Sequence, residues 1–443
     1  MKVAAEIEGW ELLIAVQVVH IFGSHDSCGD TMAERLRAAG KTAQPAPAAA
    51  DPIELFDELA EQSHGKAWAL LVCANPRPER DGQVMRAQLI ALGARLGWTV
   101  SVVSDILWVF MPGVRSTARI RWVVRQDASA MRRLFQEMFG HEMSAEHWDW
   151  KYGAGNGSGL ALWIDGEMVA HYGGTTRRVR ALGEPMLACQ VCDVMVSPKG
   201  RAALARRGPI AHLTATFLEH RIGHHLPHAI GFGFPSERAF GVAQRLGLYV
   251  PVDEVVSLHW NSGRPARRDL WRMRAAPFDL SALQAGSGPW RQVERLWACM
   301  ALALRASVLG ERTPAWLRRR YLDRPGLVYE VLCLTSVVTR RSLGLVVMRL
   351  HTDFLEIVDL IGAPRHFGDL IRIARNAAAA RGVPNVQAWI SASHAHLLRQ
   401  GDAADATEHK LGIRVPFNAH TAGPDPARFV DKWFLMSGDS DFR

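Results

Sequence analysis

Apolar and polar positions alternate in blocks over residues 1–113, and the spacing of the apolar residues switches between that of strands and that of helices. In chain order the blocks are strand "LLIAVQVVHIFG", helix "DTMAERLRAAG", an Ala/Pro linker "QPAPAAADP", helix "IELFDELAEQ", strand "AWALLVCA", helix "QVMRAQLIALGARLG" and strand "TVSVVSDILWVF". This alternation predicts a small α/β domain, of unknown role, with mostly parallel strands.

A second block, residues 117–260, has the pattern of a mixed sheet with intervening helices. Strand "RIRWVVR" leads to Asp127, a candidate N-cap for helix "ASAMRRLFQEMFG", and a Trp-rich helix "AEHWDWKYG" follows. In "LALWIDGEMVAHYGG" the Asp-Gly pair predicts a tight hairpin turn between two strands. The block continues with the long strand "LACQVCDVMVSP", the helical region "KGRAALARRGPIAHLTATFLEHR", the strand "HAIGFGFP" and the helix "ERAFGVAQRL".

The last helix of this block has recognisable ends. Ser236 precedes it as a candidate N-cap, and Gly247 follows it as a stop signal. Helical spacing predicts that Phe240, Ala243 and Leu246 form its packed face.

A third block, residues 290–443, repeats this order of elements. "AWLRRRYLDRPG" parallels "HWDWKYGAGNG", and "LGIRVPF" echoes "LGLYVPV". Between them lie three predicted strands, "YEVLCLTS", "SLGLVVMRL" and "FLEIVDLIG", then helix "FGDLIRIARNAAAARG", strand "NVQAWIS" and a short helix. This repetition predicts a second copy of the same fold.

The order of elements over residues 117–260 resembles that of the Gcn5-related N-acetyltransferase (GNAT) family along the whole segment. The resemblance implies an α/β chain in which two GNAT-like mixed-sheet domains in tandem, at 117–260 and 290–443, follow the small domain at 1–113. It also implies that acyl-coenzyme A, most simply acetyl-coenzyme A, is the co-substrate. In the third block the central strand runs into "GAPRHFGDL", without a basic glycine loop. We expect this copy to be degenerate and to shape the acceptor cleft.

The resemblance assigns the cofactor to two places. The central strand of the family offers backbone groups to the pantetheine arm, and a following helix start offers N–H groups and a favourable dipole to the pyrophosphate. The residues at these places, together with the cap of the next helix, are Val194, Met195, Val196, Arg206, Arg207, Gly208, Ile210, Ala211 and Ser236.

The chain departs from the family pattern at two points. The phosphate signature Gln/Arg-x-x-Gly-x-Gly/Ala is matched here by Gly208 alone, because Ala205 occupies the basic position and Ile210 the small one. Many members also carry a tyrosine that protonates the departing thiolate, where this chain has Ala243. Tyr249 is a candidate substitute, and the alternative is a strand residue that packs on the sheet.

A base must remove the ammonium proton from the acceptor amine before attack. Asp193 is a candidate because a carboxylate inside the apolar run "VCDVMV" is costly to bury without a role. Glu167 and His171, on the preceding hairpin strand, are the others. A structural hydrogen bond remains the alternative for Asp193.

Composition narrows these expectations. The 443 residues, 48% of them apolar, suffice for two or three domains, and the net charge of +8 favours an anionic partner. The basic residues are spread along the chain, so nucleic acid is not the expected partner. Six cysteines make no disulfide framework. Cys189 and Cys192 face opposite sides of a strand, and the histidines near residue 224 lack matching ligands, so we expect no metal.

The sequence therefore predicts a cytoplasmic N-acyltransferase acting on a small-molecule amine, with no membrane partner. A homodimer is an open alternative for its assembly. Two alternatives for function also stay open: an aminoacyl or peptidyl transferase that uses aminoacyl-tRNA, and a non-catalytic module that binds acyl-coenzyme A or a partner.

Overall fold

The computed structural model describes residues 18–22, 33–34, 36–38, 40–46, 51–62, 68–73, 80–95, 99–103, 106–110, 119–203, 208–263 and 273–442. The chain divides into two compact units. Unit 1 comprises Met1–Met143, Ser158–Gly173 and Asp193–His220, and unit 2 comprises Ser144–Gly157, Gly174–Cys192 and Arg221–Arg443. The predicted middle segment, residues 117–260, therefore contributes to both units.

The N-terminal part of unit 1 is a five-stranded mixed sheet with strand order β2–β1–β3–β5–β4. Its elements are β1 (Val18–Phe22), β2 (Thr42–Pro45), α1 (Pro52–Gln62), β3 (Trp68–Cys73), α2 (Arg80–Arg95), β4 (Thr99–Val103) and β5 (Ile106–Phe110). β1 is parallel to β2 and β3, whereas β5 is antiparallel to β3 and β4. The expectation of mostly parallel strands is confirmed, since four of the five strands of this sheet run in the same direction and only β5 is reversed. The difference from the prediction is that "TVSVVSDILWVF" forms two antiparallel strands, β4 and β5, and that the predicted linker begins within the last two residues of β2.

The middle of the chain forms the elements that the sequence predicts in the same order. They are β6 (Arg119–Trp122), α3 (Ala128–Phe139), α4 (Ala145–Tyr152), β7 (Gly157–Ile164), β8 (Glu167–Ala181), β9 (Glu184–Val196), α5 (Pro198–Ala203), α6 (Pro209–Arg221), β10 (Ile230–Gly233) and α7 (Glu237–Arg245). The predicted hairpin turn is confirmed, since Asp165 and Gly166 both have positive φ, 52° and 76°.

Asp127 does not cap α3 in the predicted way. Its carboxylate makes no hydrogen bond to the helix, and instead it pairs with both terminal nitrogens of Arg121, at 2.7 and 2.8 Å. It also accepts a hydrogen bond from the Val124 N–H at 3.0 Å. A nearby guanidinium offers a charged, two-pronged partner, which outweighs a single helix N–H.

The described residues from 249 to 442 contain four further α-helices and all seven strands of the third sheet. Its elements are β11 (Tyr249–Asn261), β12 (Met273–Pro277), α8 (Gly288–Ala303), β13 (Val308–Gly310), α9 (Pro314–Leu317), β14 (Glu330–Ser336), β15 (Ser342–Leu350), β16 (Phe354–Gly362), α10 (Phe367–Ala380), β17 (Asn385–Ser391), α11 (Ala395–Leu398), β18 (Thr407–Asn418) and β19 (Trp433–Phe434). The three predicted strands, β14 to β16, are confirmed as an antiparallel meander.

The two larger sheets exchange strands across the predicted segment boundary. β11, from the middle segment, lies between β17 and β18 in the order β12–β14–β15–β16–β17–β11–β18. In return, β13 and β19 of the last segment extend the sheet that contains β10, β9 and β8. β11 joins the third sheet because Val256, Leu258 and Trp260 are buried in the same apolar core as α10 and β17.

A buried ionic cluster in unit 2 links four distant chain segments. Arg312, which is fully buried, contacts Asp439 at 2.5 Å and Asp359 at 3.3 Å. Arg177 reaches Asp439 at 3.3 Å, and the Tyr321 hydroxyl donates to Asp359 at 2.8 Å. Burial lowers the pKa of Arg177 to about 10. Burial would raise the pKa of Asp439, but Arg312 and Arg177 hold it below its ordinary value.

Among the described residues, no helix is both long enough and apolar enough to cross a membrane.

Candidate functional site

The central strand β9 contains a backbone irregularity at Asp193. This residue has a φ of +47°, a left-handed conformation that side-chain-bearing residues adopt rarely and aspartate more readily than most. β9 is in register with β10 through Ala188–Val191, and it continues to Val196. Val194, next to the irregularity, is 38% exposed. The second half of β9 therefore carries a kink beside an accessible position.

His171 lies beneath this kink within unit 1. Its side chain is 1% exposed, and its Nδ1 lies 2.7 Å from the backbone oxygen of Asp193. A Cβ at Gly159 on β7 would lie 2.3 Å from the His171 Nε2. The imidazole therefore spans β8 from a glycine on one neighbouring strand to the kink on the other.

The helix that follows β9 begins at an open glycine. Gly208 has a φ of +74°, and a Cβ built on it would meet no heavy atom within 4 Å. Pro209 starts α6, where its missing N–H is no loss. Ile210 is half-buried and Ala211 is buried. The predicted arginines Arg206 and Arg207 lie outside the described residues.

α6 is anchored on the side chains of its last two turns. Arg95 of α2 pairs with Glu219, and its Nη1 donates to the Thr216 hydroxyl at 2.8 Å. Phe217 packs against Tyr172 of β8 with ring centroids 5.0 Å apart. The N-terminal sheet domain thus contributes to holding the helix, and with it the position of Gly208.

Glu167 is placed apart from the other candidate bases. It begins β8, its side chain is 62% exposed, and it pairs with Lys199 at 2.7 Å. His171 lies four positions further along β8, which corresponds to about 13 Å. Of the three candidate bases, His171 contacts the backbone oxygen of Asp193, and Glu167 lies apart from both.

Ser236 caps α7 in unit 2 as predicted. Its hydroxyl accepts a hydrogen bond from the Ala239 N–H at 3.4 Å, and Gly247 after the helix has a φ of +71°. Phe240 and Ala243 are buried, but Leu246 is 38% exposed. The prediction that Leu246 belongs to the packed face was wrong, because the helix has ended by Leu246 and the 100° periodicity no longer applies.

Tyr249 is the first residue of β11 in unit 2. It is buried and lies opposite Asn418 of β18 in the third sheet. This position agrees with the alternative that the sequence left open, a strand residue packed on a sheet.

Cys189 and Cys192 of the first candidate metal motif are buried in the packed interior, whereas His224 and His225 of the second are exposed. Burial raises the pKa of the Cys189 thiol to about 12, and Cys192 is buried as well. His228 is hydrogen-bonded to the Thr176 hydroxyl at 2.9 Å. Within the described part of the chain, no three His, Cys, Asp or Glu side chains are grouped so as to hold a metal ion.

Sequence reasoning missed Gly159 and the link between His171 and Asp193. The available signal was the glycine pair in "GSGLALW", since a glycine inside an apolar strand often marks a close approach of another group.

Comparisons with known proteins agree with this geometry. Residues 119–249 match the model of the acetyltransferase (GNAT) domain family. No curated protein matches the chain in sequence.

Two solved structures are similar in fold. One is a conserved protein of unknown function from Enterococcus faecalis V583, described as a "probable N-acyltransferase", with a TM-score of 0.52 and 14% identity over 69% of this chain and 73% of that one. The other is a GCN5-related N-acetyltransferase from Kribbella flavida, with a TM-score of 0.50 and 16% identity over 68% and 71%. Residues 119–249 therefore match the acetyltransferase (GNAT) domain family, and the chain has a fold similar to that of these two structures.

Proposed function

We propose that this protein is an N-acyltransferase that moves an acetyl or other acyl group from acyl-coenzyme A to the amine of a small molecule. The observation that carries the proposal is the left-handed backbone of Asp193 inside β9. Such a residue turns the following peptide away from the regular pattern of the strand, which provides a backbone N–H for a ligand. The cytoplasm is the proposed location, because the number and spacing of the six cysteines in the sequence are not typical of a disulfide framework.

The residues around β9 and α6 fit acyl-coenzyme A. The parts of β9 and α6 that would contact the cofactor are Asp193–Val196 and Gly208–Ala211, and both belong to unit 1. The extended backbone after Asp193 suits the amides of a pantetheine arm. The left-handed Gly208 has open space where a side chain would be, so a phosphate can approach the N–H groups that start α6.

In this proposal the protein does little covalent chemistry itself. Acyl-coenzyme A supplies the activated thioester. The backbone N–H of Val194 polarises the carbonyl oxygen, and the Asp193 carboxylate takes the proton that the acceptor ammonium must lose. The amine nitrogen then forms the new bond to the acyl carbon as the bond to sulfur breaks. The thiolate leaves with the electron pair and takes up the second proton that the nitrogen loses.

Thermal unfolding with added ligands tests the donor. We expect acetyl-coenzyme A to raise the midpoint, since a ligand that binds only the folded state stabilises it. Free tRNA is the comparison. A shift with tRNA and none with acetyl-coenzyme A would favour an aminoacyl transferase, and a shift with acetyl-coenzyme A but no turnover on any amine would favour a binding module.

Replacing Arg206 and Arg207 together by alanine is expected to weaken the binding of coenzyme A by roughly several-fold to a hundredfold, because charged hydrogen bonds to phosphate are lost. Titration calorimetry at two salt concentrations measures this loss, and the variant should also show a weaker salt dependence. Unchanged affinity for coenzyme A would contradict the proposal that its phosphates bind at this loop.

The same calorimetry is expected to give one molecule of coenzyme A per chain. The glycine loop before α6 has its basic residues, whereas the corresponding "GAPRHFGDL" after β16 has no such cluster. Two equivalent sites would contradict the proposal that the C-terminal copy is degenerate.

A further inference from the structure

Both nitrogens of the His171 ring lie close to backbone, Nδ1 to the oxygen of Asp193 and Nε2 to Gly159. A carbonyl oxygen can only accept a hydrogen bond, so the Nδ1 that lies 2.7 Å from the Asp193 oxygen carries the proton and donates it. The opposite end of the ring faces Gly159, where even a methyl group would come within 2.3 Å of Nε2. The ring is thus held in one tautomer and one orientation.

The hydrogen bond from His171 to the Asp193 carbonyl also orients the N–H of the next residue, Val194. The carbonyl of Asp193 and the N–H of Val194 belong to one planar trans peptide, in which the two groups point in opposite directions. Holding the carbonyl towards His171 therefore directs the Val194 N–H away from His171. Ser197 N–H donates to Val169 O at 2.8 Å, so the end of β9 remains attached to β8 and only the kink needs a separate support.

The left-handed backbone of Asp193 also needs a partner to persist. A non-glycine residue in this region costs about 1 kcal/mol or more and is retained where surrounding contacts determine it. The buried histidine supplies such a contact at the carbonyl itself.

We infer that His171 is a positioning residue that fixes the Asp193–Val194 peptide, and that Gly159 is required because it leaves room for the ring. This inference rests on the proposed function in one respect: the Val194 N–H is the group that polarises the acyl carbonyl. It differs from the role of general base, in which His171 would exchange a proton with the acceptor.

Two amide substitutions separate positioning from base catalysis. In His171→Asn the side-chain NH₂ is placed near the position of Nδ1, whereas in His171→Gln it is placed near Nε2. Neither amide can act as a base. If His171 positions the peptide, the His171→Asn variant retains kcat within about threefold, whereas His171→Gln lowers kcat by at least about tenfold. The loss in His171→Gln should stay below the ~10²–10³ that follows from deleting an oxyanion donor, because the Val194 N–H is still present. The KM for acyl-coenzyme A should change little in either.

Equal loss of activity in both variants would overturn the inference in favour of base catalysis. Equal retention would overturn it as well, because the hydrogen bond would then have no consequence.

Gly159→Ala tests the same contact without removing a polar group. The methyl group must displace the His171 ring, so kcat is expected to fall about tenfold in the native background and not to fall further in His171→Gln. Gly288→Ala is the matched control, because a Cβ there meets nothing within 4 Å and its φ is ordinary. Additive losses in the double variant would contradict the coupling.

A readout that needs no turnover keeps the inference distinct from the proposed function. Amide hydrogen exchange of peptides covering residues 189–196 is expected to accelerate in His171→Gln and Gly159→Ala but not in His171→Asn. If the native protein acylates no amine while this pattern holds, the proposed function fails and the structural role of His171 stands. Uniform exchange in all variants would refute the structural role.

Discussion

Replacing Asp439 by asparagine is expected to destabilise the protein by about 3–5 kcal/mol, the cost of leaving buried charge without its partner. Asp439 neutralises Arg312 and Arg177 in a region without solvent, where Asp359 is the remaining carboxylate near Arg312. The amide oxygen can still accept from the Met436 N–H, which donates to Asp439 at 3.1 Å, so the substitution removes the charge and the second acceptor oxygen, to which Arg177 donates. Urea unfolding followed by tryptophan fluorescence measures the change.

Glu408→Gln provides the matched control. Glu408 pairs with Arg399 at 2.6 Å, but both side chains are more than a third exposed, and such pairs contribute less than about 1 kcal/mol. Similar losses of unfolding free energy in the two variants would mean that the buried ion pair contributes no more to stability than the exposed one. Because Asp439 has a depressed pKa, its contribution should be present at neutral pH and disappear as the pH falls below the ordinary aspartate range.

Asp193→Asn is expected to lower turnover by about a hundredfold, the contribution of one acid–base group, with little change in affinity for acyl-coenzyme A. Asparagine tolerates the left-handed backbone as well as aspartate does, so the substitution removes the charge and keeps the kink. Steady-state kinetics, with folding checked by thermal unfolding, measure the effect. Asp165→Asn is the control, since Asp165 is also left-handed but lies in the exposed hairpin turn.

Tyr249→Phe should reduce turnover less than Asp193→Asn does, because a thiolate is a tolerable leaving group at neutral pH. If Asp193→Asn instead unfolds the protein while the folded fraction keeps its activity, the carboxylate is structural and the base must be sought among the acceptor-binding residues.

The order of elements could be predicted because it follows from local patterns. Strands β14 to β16 are continuous apolar runs separated by polar turns, and Ser236 and Gly247 mark the ends of α7. The pairing of β11 could not be predicted in the same way. Its sequence is equally suited to either large sheet, and the choice depends on Val256 and Trp260 finding a core built by residues far along the chain.

The candidate site was predictable only in part for a similar reason. Asp193 stood out as a carboxylate in an apolar run, but the run gives no sign of a left-handed residue, because periodicity reports which side chains face inward and not the φ of one residue. Asp359 occupies an equivalent position in "FLEIVDLIG", and its partners Arg312 and Tyr321 are remote in sequence. Such tertiary pairs carry no local signature.

The position of β11 between β17 and β18 has a consequence for biosynthesis. Its register with β17 joins residues more than 120 positions apart, from Asn261 with Asn385 to Val255 with Ser391. During translation β11 leaves the ribosome long before β17 or β18 has been synthesised, so its apolar residues remain unpaired until then. Slow translation of the last segment should therefore favour aggregation, and a nascent chain stalled near residue 380 should bind holdase chaperones more tightly than the completed protein does.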